Sequence, residues 1–471
     1  VKSGTAEPAE LDGRRLILAV FAISLGTVLT IVDGAIATVA LPTIARDLKV
    51  DGSSAVLIVT VYQLVLVMAL LPLSALGNRV GLKRLYQAGQ LVFTIATVLC
   101  FFAHSLGFLL VVRVLQATGA AAALSVMAAL IRRVYPAEHL GRGLALNTVV
   151  VSCAAIVAPT LGGVILGFAP WPWVFAIAAP FGVLSLILGK TALPDIPAHP
   201  EPYNLAGAVL NVVAFGLLIG GLEAIVHGNS PVVSAAIALI GVGFFVLLVL
   251  HERREPMPIL PVDLLVRPVL ALSVAGAFCA FTASQMLLVS LPFRLQHAYR
   301  LSPSEIGLMI AAWPMTTMVV APIAGLLSDR YPAGLLGGIG MFIATAGFAT
   351  LAFPPPHPGY FDIAWRMSLT GAGMGLYLAP NARLIIGSAP RDRAASAGGL
   401  VSTTRLAGQT LGATAVATLL ALELGTTAMP ALIGAGLTMI AGLFSVARLR
   451  PSIRNPGREE TAVAQPAANT T

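Results

Sequence analysis

Fourteen apolar runs, most of them near twenty residues long, follow one another along the chain, and no other feature limits its fold as strongly. They fall at about 15–40, 55–77, 85–103, 107–130, 143–167, 173–189, 204–226, 232–250, 269–292, 306–328, 335–353, 362–387, 395–420 and 428–448. A helix rising 1.5 Å per residue needs roughly 20 apolar residues to cross a hydrocarbon core of about 30 Å. With 57% hydrophobic and 10% charged residues, against about 25% charged in ordinary soluble domains, a soluble fold is excluded. The expectation is an all-α polytopic membrane protein. The first run follows Arg14 and Arg15 but is too long for a signal peptide and carries Asp33, so it reads as a retained helix.

The 28 Lys and Arg residues against 20 Asp and Glu give a net charge of +8, which in a soluble chain would suggest nucleic acid. Sorted by loop, 20 of the basic residues fall on the side of the chain termini and four, Arg46, Lys49, Arg294 and Arg300, on the other. The excess is therefore an orientation signal, predicting both tails in the cytoplasm and no nucleic-acid partner. Cys100, Cys153 and Cys279 lie inside apolar runs without ligand spacing, so neither a disulfide framework nor a metal site is expected.

An internal repeat organises the helices. "VALP" ending at Pro42 recurs as "VSLP" ending at Pro292, "SALGNRVG" from Ser74 as "GLLSDRYP" from Gly325, Arg113 as Arg366, and Pro136 as Pro390; the offsets are 250, 251, 253 and 254. Helices one to six thus match nine to fourteen, leaving seven and eight as an insert, and the Pro-rich pieces "PDIPAHPEP" and "REPMPILP" mark block boundaries. The predicted domains are an N-tail (1–14), an N-terminal six-helix bundle (15–189), a linker with two inserted helices (190–268), a C-terminal bundle (269–448) and a C-tail (449–471).

Four motifs resemble the major facilitator superfamily, and within it the 14-helix drug:proton antiporter family. "TIVDGAIATVALP" (Thr30 to Pro42) carries an aspartate nine residues before the proline; "SALGNRVGLKR" resembles the loop pattern G-x-L-x-D-R-x-G-R-K; "RVLQATGAA" from Arg113 resembles R-x-x-Q-G-x-G; and "AAIVAPTLGG" resembles G-x-x-x-G-P-x-x-G-G. Ser74 and Asn78 replace a glycine and the aspartate of the loop pattern, and Ala154 and Ala158 replace two helix-five glycines. Asn78 keeps hydrogen-bonding capacity but not the negative charge of the family's latch. The resemblance implies the major facilitator fold, two six-helix bundles plus two inserted helices, and alternating access driven by protons.

Asp33 is the sharpest single signal, since a carboxylate in mid-helix costs about 2.5–3.5 kcal/mol on insertion scales and marks function by default; the plain alternative is a structural ion pair. An apolar setting favours its neutral, protonated form and an arriving cation its ionised form, so proton and cationic solute would compete for it. A second acid would add a voltage-driven component, and Glu223, Asp362 and Glu423 are the candidates, each also readable as sitting in interfacial water. Arg113 stays charged when desolvated and must find an acceptor; the resemblance gives it a part in proton coupling, while Arg366 suits a structural role. Ala158, Pro159, Gly162 and Gly163 permit bending and close helix contact, and by resemblance they hold the antiport conformations. Asn78, Arg79, Gly81 and Lys83, with Asp329 and Arg330 in the repeat, read as gating loops, although basic loops also arise from topology alone. Tyr62, Gln63, Gln285, Trp313, Tyr377 and Asn381 are candidate cavity residues, since aromatic faces beside an acid suit a lipophilic cation, with packing as the competing role of each.

"GKT" at Gly189 to Thr191 lacks the glycine of a P-loop, and "GAGMG" at Gly371 to Gly375 lies in a membrane helix, so no nucleotide or other cofactor is expected. The sequence reading is a monomeric multidrug efflux protein of the inner membrane, of antibiotic-resistance type, exporting lipophilic cations or quaternary ammonium compounds against protons. Its rival is a transporter of a neutral or anionic metabolite; a membrane-embedded enzyme is remote, because no nucleophile triad, metal cluster or acid pair has a soluble face.

Overall fold

The computed structural model describes residues 13–135, 140–195, 203–227, 230–255, 258–388 and 394–450. Among them the chain forms fourteen long helices: α1 Gly13–Asp47, α2 Gly52–Val80, α3 Leu82–Phe101, α4 Leu106–Val134, α5 Leu140–Phe168, α6 Pro172–Ala192, α7 Leu205–Val226, α8 Pro231–Glu252, α9 Pro268–Tyr299, α10 Pro303–Leu327, α11 Ala333–Ala352, α12 Tyr360–Ser388, α13 Ala394–Ala421 and α14 Met429–Ala447. Helix α6 consists of two pieces, Pro172–Ala176 and Ala179–Ala192. Ten of the fourteen are long and apolar enough to cross a membrane. The others are α3, α5, α12 and α13; three of these bury polar groups inside the protein, such as Gln90, Asn381 and Thr403, which lowers hydropathy without exposing polarity to lipid. The repeat pair Pro136 and Pro390, most of the two tails and most of "PDIPAHPEP" lie outside the described residues.

Local chemistry sets the helix ends. Asp51 caps α2, accepting from the Ser54 N–H at 3.1 Å and the Ser54 hydroxyl at 2.7 Å, with the Ser53 hydroxyl also donating to it. Partial burial pushes this carboxyl up, but the serine hydrogen bonds outweigh it and bring it down to about 2. Ser302 and Glu305 form a capping box at the start of α10. Between α2 and α3 a single residue, Gly81 at φ 105°, reverses the chain, a conformation that a Cβ would strain.

The sequence repeat reappears as packing. Gly89 and Gly119 let α3 and α4 cross with backbones touching, and Gly340 and Gly373 do the same for α11 and α12. Gly26 of α1 faces the Tyr86 hydroxyl, and Gly276 of α9, 250 residues on, faces that of Tyr377. Across the boundary α5 packs on α10 and α2 on α13; since α2 corresponds to α10 and α5 to α13, these are two copies of one seam. The inserted pair breaks the symmetry, because α7 packs on both α2 and α13 and α8 on α7.

At the end opposite the chain termini the bundles share one apolar cluster, in which Ile36, Ala40 and Val59 meet Met286, Val289, Phe293, Ala413 and Val416. At the terminal end a cluster around Tyr86, Leu130 and Leu193 stays within the N-terminal bundle, and one around Leu270, Ile385 and Ala397 belongs to the C-terminal half. Contact between the halves there follows the α2–α13 seam, where Leu71 and Leu400 cluster with Leu248 and Leu260 of the linker.

Candidate functional site

Asp33 on α1 and Arg113 on α4 form an ion pair, Nη1 to Oδ2 at 2.6 Å, with both side chains fully enclosed. Gln116, one turn beyond Arg113, completes it: its amide nitrogen donates to Asp33 Oδ1 at 2.9 Å and to Thr97 Oγ1 at 3.0 Å, while its oxygen accepts from Arg113 Nη1 at 2.6 Å. Arg113 Nε donates to the Ile58 carbonyl at 3.3 Å, and the guanidinium lies over the rings of Tyr62 and Phe175, 4.2 and 5.3 Å from their centroids. A buried charge persists only when paired and hydrogen-bonded, and here both carboxylate oxygens are engaged. The guanidinium retains one unpartnered nitrogen, Nη2, and the Tyr62 hydroxyl is likewise unpartnered.

This geometry changes the expected role of Asp33. Its carboxylate is not open: Arg113 and Gln116 engage both of its oxygens. Gln116 and Thr97 had no role in the sequence reading, although Gln116 stood in the quoted R-x-x-Q motif, whose i, i+3 spacing puts both side chains on one helix face.

Glu223 does not join this centre. It is buried where α7 meets α2 and α13, accepting from Thr414 Oγ1 at 2.6 Å, with the Thr60 hydroxyl beside it and its Oε2 unpartnered, 3.8 Å from His227 Nδ1. The interfacial-water reading therefore fails for Glu223. Asp362 pairs with Arg366 at 3.7 Å near the start of α12, and Glu423 lies exposed just beyond α13.

The α5 motif lies on the bundle seam. Gly307 of α10 abuts the Pro159 carbonyl and Gly163 the Pro303 carbonyl. Ser304 Oγ donates to the Gly163 carbonyl at 2.9 Å. Ala158 is fully buried, and Gly162 lies against Ile36, one turn from Asp33. The stretch thus touches both α1 and the opposite bundle.

The two repeat-related loops differ. Asp329 pairs with Arg383, which also donates to Ser328 Oγ at 2.8 Å, and Arg330 is exposed. In the first loop Asn78 and Arg79 are exposed, and Lys83 reaches Asp195 at 3.1 Å. Of the expected cavity residues, Tyr62 packs under Arg113, Gln63 is partly buried with its oxygen unpartnered, and Gln285 adjoins Gly412 of α13. Trp313, Tyr377 and Asn381 correct the expectation, because all three are packed inside the C-terminal bundle: Trp313 edge-on to Phe348, Tyr377 beside Gly276, and Asn381 bonded to the Ser273 carbonyl and to Arg448. The Asn381 amide thus serves α9 and Arg448, whereas the Tyr377 hydroxyl is buried with no hydrogen-bond partner among the described residues. Among the described residues no cluster of His, Cys, Asp and Glu could hold a metal ion.

Comparison with known proteins follows the same lines. The family model described as Major Facilitator Superfamily matches residues 23–252 and 273–469. The uncharacterized transporter YebQ of Escherichia coli (strain K12) is 42% identical over 406 residues, covering 85% of this chain and 88% of YebQ. The riboflavin transporter RibZ of Clostridioides difficile (strain 630) is 28% identical, covering 81% of this chain and 83% of RibZ. The methyl viologen resistance protein SmvA of Salmonella typhimurium (strain LT2) is also 28% identical, covering 81% of this chain and 78% of SmvA.

Proposed function

The chain belongs to the Major Facilitator Superfamily and is a multi-pass membrane transporter; from that premise we propose that it exports small amphipathic organic compounds across the cytoplasmic membrane in exchange for protons, by alternating access between its two bundles. The observation that carries this reading is the sealed Asp33–Arg113–Gln116 centre. A proton arriving on Asp33 removes the charge that holds Arg113, leaving a guanidinium that cannot itself deprotonate with only the neutral Gln116 amide oxygen, the Ile58 carbonyl and aromatic rings around it. That arrangement is unfavourable in a low-dielectric interior, so protonation pushes the α1–α4 contact toward another packing. Ile36, one turn from Asp33, rests on Gly162 of α5, which links the centre to the α5–α10 seam. Each exchanged proton supplies about 1.4 kcal/mol per unit of pH gradient.

The multidrug and quaternary-ammonium assignment draws support from the name of SmvA, whereas RibZ is named for a riboflavin substrate. The positive-inside count supports cytoplasmic termini, so the shared apolar cluster at the other end describes a state closed to the outside. The geometry favours Asp33 as the proton site alone. A cationic solute would have to displace Arg113 and strand it.

The test is gradient-driven efflux of fluorescent amphipathic probes from vesicles containing the wild type or Asp33→Asn. Loss of the pH-gradient response in the variant is expected; an unchanged response would remove Asp33 from the coupling role.

A further inference from the structure

Arg405 lies near the middle of α13 (Ala394–Ala421) and is exposed, yet among the described residues no carboxylate, carbonyl or hydroxyl accepts from it. The faces of α13 show where it points. Leu406 packs on Leu66 and Leu70 of α2, while Gly408 and Gly412 abut the backbone of α9. On the outward arc Thr414 donates to Glu223 of α7, and Leu400, Thr403, Thr404 and Ala407 line an apolar crevice of about 640 Å³ beneath the inserted helices. At 100° per residue, one arc remains between the α2-facing and α9-facing sides. It carries Ser402, Arg405 and Gln409, at i, i+3 and i+7. That stripe faces away from the insert, into the space between the bundles. Two turns farther on, Ala413 and Val416 are fully buried in the cluster that closes the far end. Arg405 therefore stands on the open, terminal side of that closure.

An ionisable group at this depth is normally paired or functional. Asp33 is already neutralised by Arg113, and Glu223 lies on the opposite arc of α13. The stripe thus presents a positive charge with a planar fork of donors suited to carboxylate, sulfonate or phosphate oxygens. We propose that Arg405, assisted by Gln409, binds an acidic group on the transported solute, so that the substrates are amphipathic organic anions. The inference rests on the proton-coupled export proposed above and names its substrate class. It also carries a consequence for energetics: exchanging one proton for one monovalent anion moves two charges inward, so an interior-negative potential drives export as well as the pH gradient.

The experiment uses the full chain in phosphatidylethanolamine–phosphatidylglycerol vesicles with an imposed pH gradient, with and without a potassium–valinomycin potential. The probes are 8-anilinonaphthalene-1-sulfonate, an amphipathic anion, and ethidium, a cation of similar size. Wild type is expected to move the anion, faster with the potential applied. Arg405→Gln should lower anion transport about tenfold with an unchanged melting temperature in detergent, and Arg405→Lys should restore part of the rate. Anion transport equal to wild type in Arg405→Gln overturns the proposal, as does a wild type that moves ethidium alone. If wild type moves neither probe, the export reading itself falls. Asp33→Asn separates the two claims, since it should abolish the pH-gradient response for whichever probe is carried.

Discussion

In the N-terminal bundle Arg113 turns inward to a carboxylate sealed from solvent, whereas its repeat partner Arg366 bonds the Asp362 carbonyl of its own helix and the Thr350 carbonyl of α11 and stacks on Trp365. The helix crossings around the two arginines are otherwise alike, with Gly89 and Gly119 answered by Gly340 and Gly373. One duplicated scaffold therefore holds two electrostatic designs. The first bundle encloses a carboxylate against its arginine, out of reach of solvent. The second holds Arg366 on backbone carbonyls and leaves Arg405 of α13 without an acceptor among the described residues. On the two proposals above, proton exchange falls to one bundle and solute charge to the other.

Asp33→Asn should break the comparison most severely. It strands Arg113, and removing one member of a buried pair costs about 3–5 kcal/mol, visible as a lower melting temperature in detergent together with lost proton-driven efflux. The double variant Asp33→Asn with Arg113→Gln should regain most of the stability but none of the coupling; efflux in the double variant would show that the pair is only structural.

Next in size are the glycine crossings. Gly89→Leu and Gly340→Leu each push a side chain into the neighbouring backbone, at about 1–3 kcal/mol from overpacking. Similar melting shifts would sharpen the view that the bundles share one scaffold, and a large effect in one alone would contradict it.

Arg366→Gln removes carbonyl hydrogen bonds and a partly exposed ion pair, so a loss of about 1–2 kcal/mol is expected. Efflux rates should stay within about twofold of wild type, far from the Arg113 phenotype; loss of proton coupling would make the two arginines equivalent. The smallest effect is expected at the loops. Asp329→Asn breaks the exposed pair with Arg383 and should cost at most about 1 kcal/mol. Initial efflux rates for Asp329→Asn and Asn78→Asp, compared side by side, report whether the charge difference between the loops affects gating.

Much of the fold could be read without coordinates. Apolar runs of bilayer length mark helices because lipid offers no partner to an open backbone, and all fourteen are present. Asp33 and Arg113 were legible for the same reason, since charge inside an apolar run needs an explanation. Trp313, Tyr377 and Asn381 were misplaced because a polar or aromatic residue in a membrane helix looks the same whether it faces a cavity or a neighbouring helix. Arg448, the last residue of the expected C-terminal bundle, was given no role by the sequence, although it is buried and donates to Ser273 and Asn381. Arg405 lies within an apolar run, but nothing in the sequence said which side of α13 looks between the bundles.

The sequence by itself determined the number of helices, their duplication, their orientation signal and the presence of a carboxylate inside the first helix, because these follow from local hydropathy, spacing and charge. Only the tertiary structure decided which charges meet. Helices 80 residues apart in the chain bring Arg113 onto Asp33, the insert takes Glu223 to a different seam, and Arg405 is left open, since pairing depends on which faces pack together and hydropathy does not encode that choice.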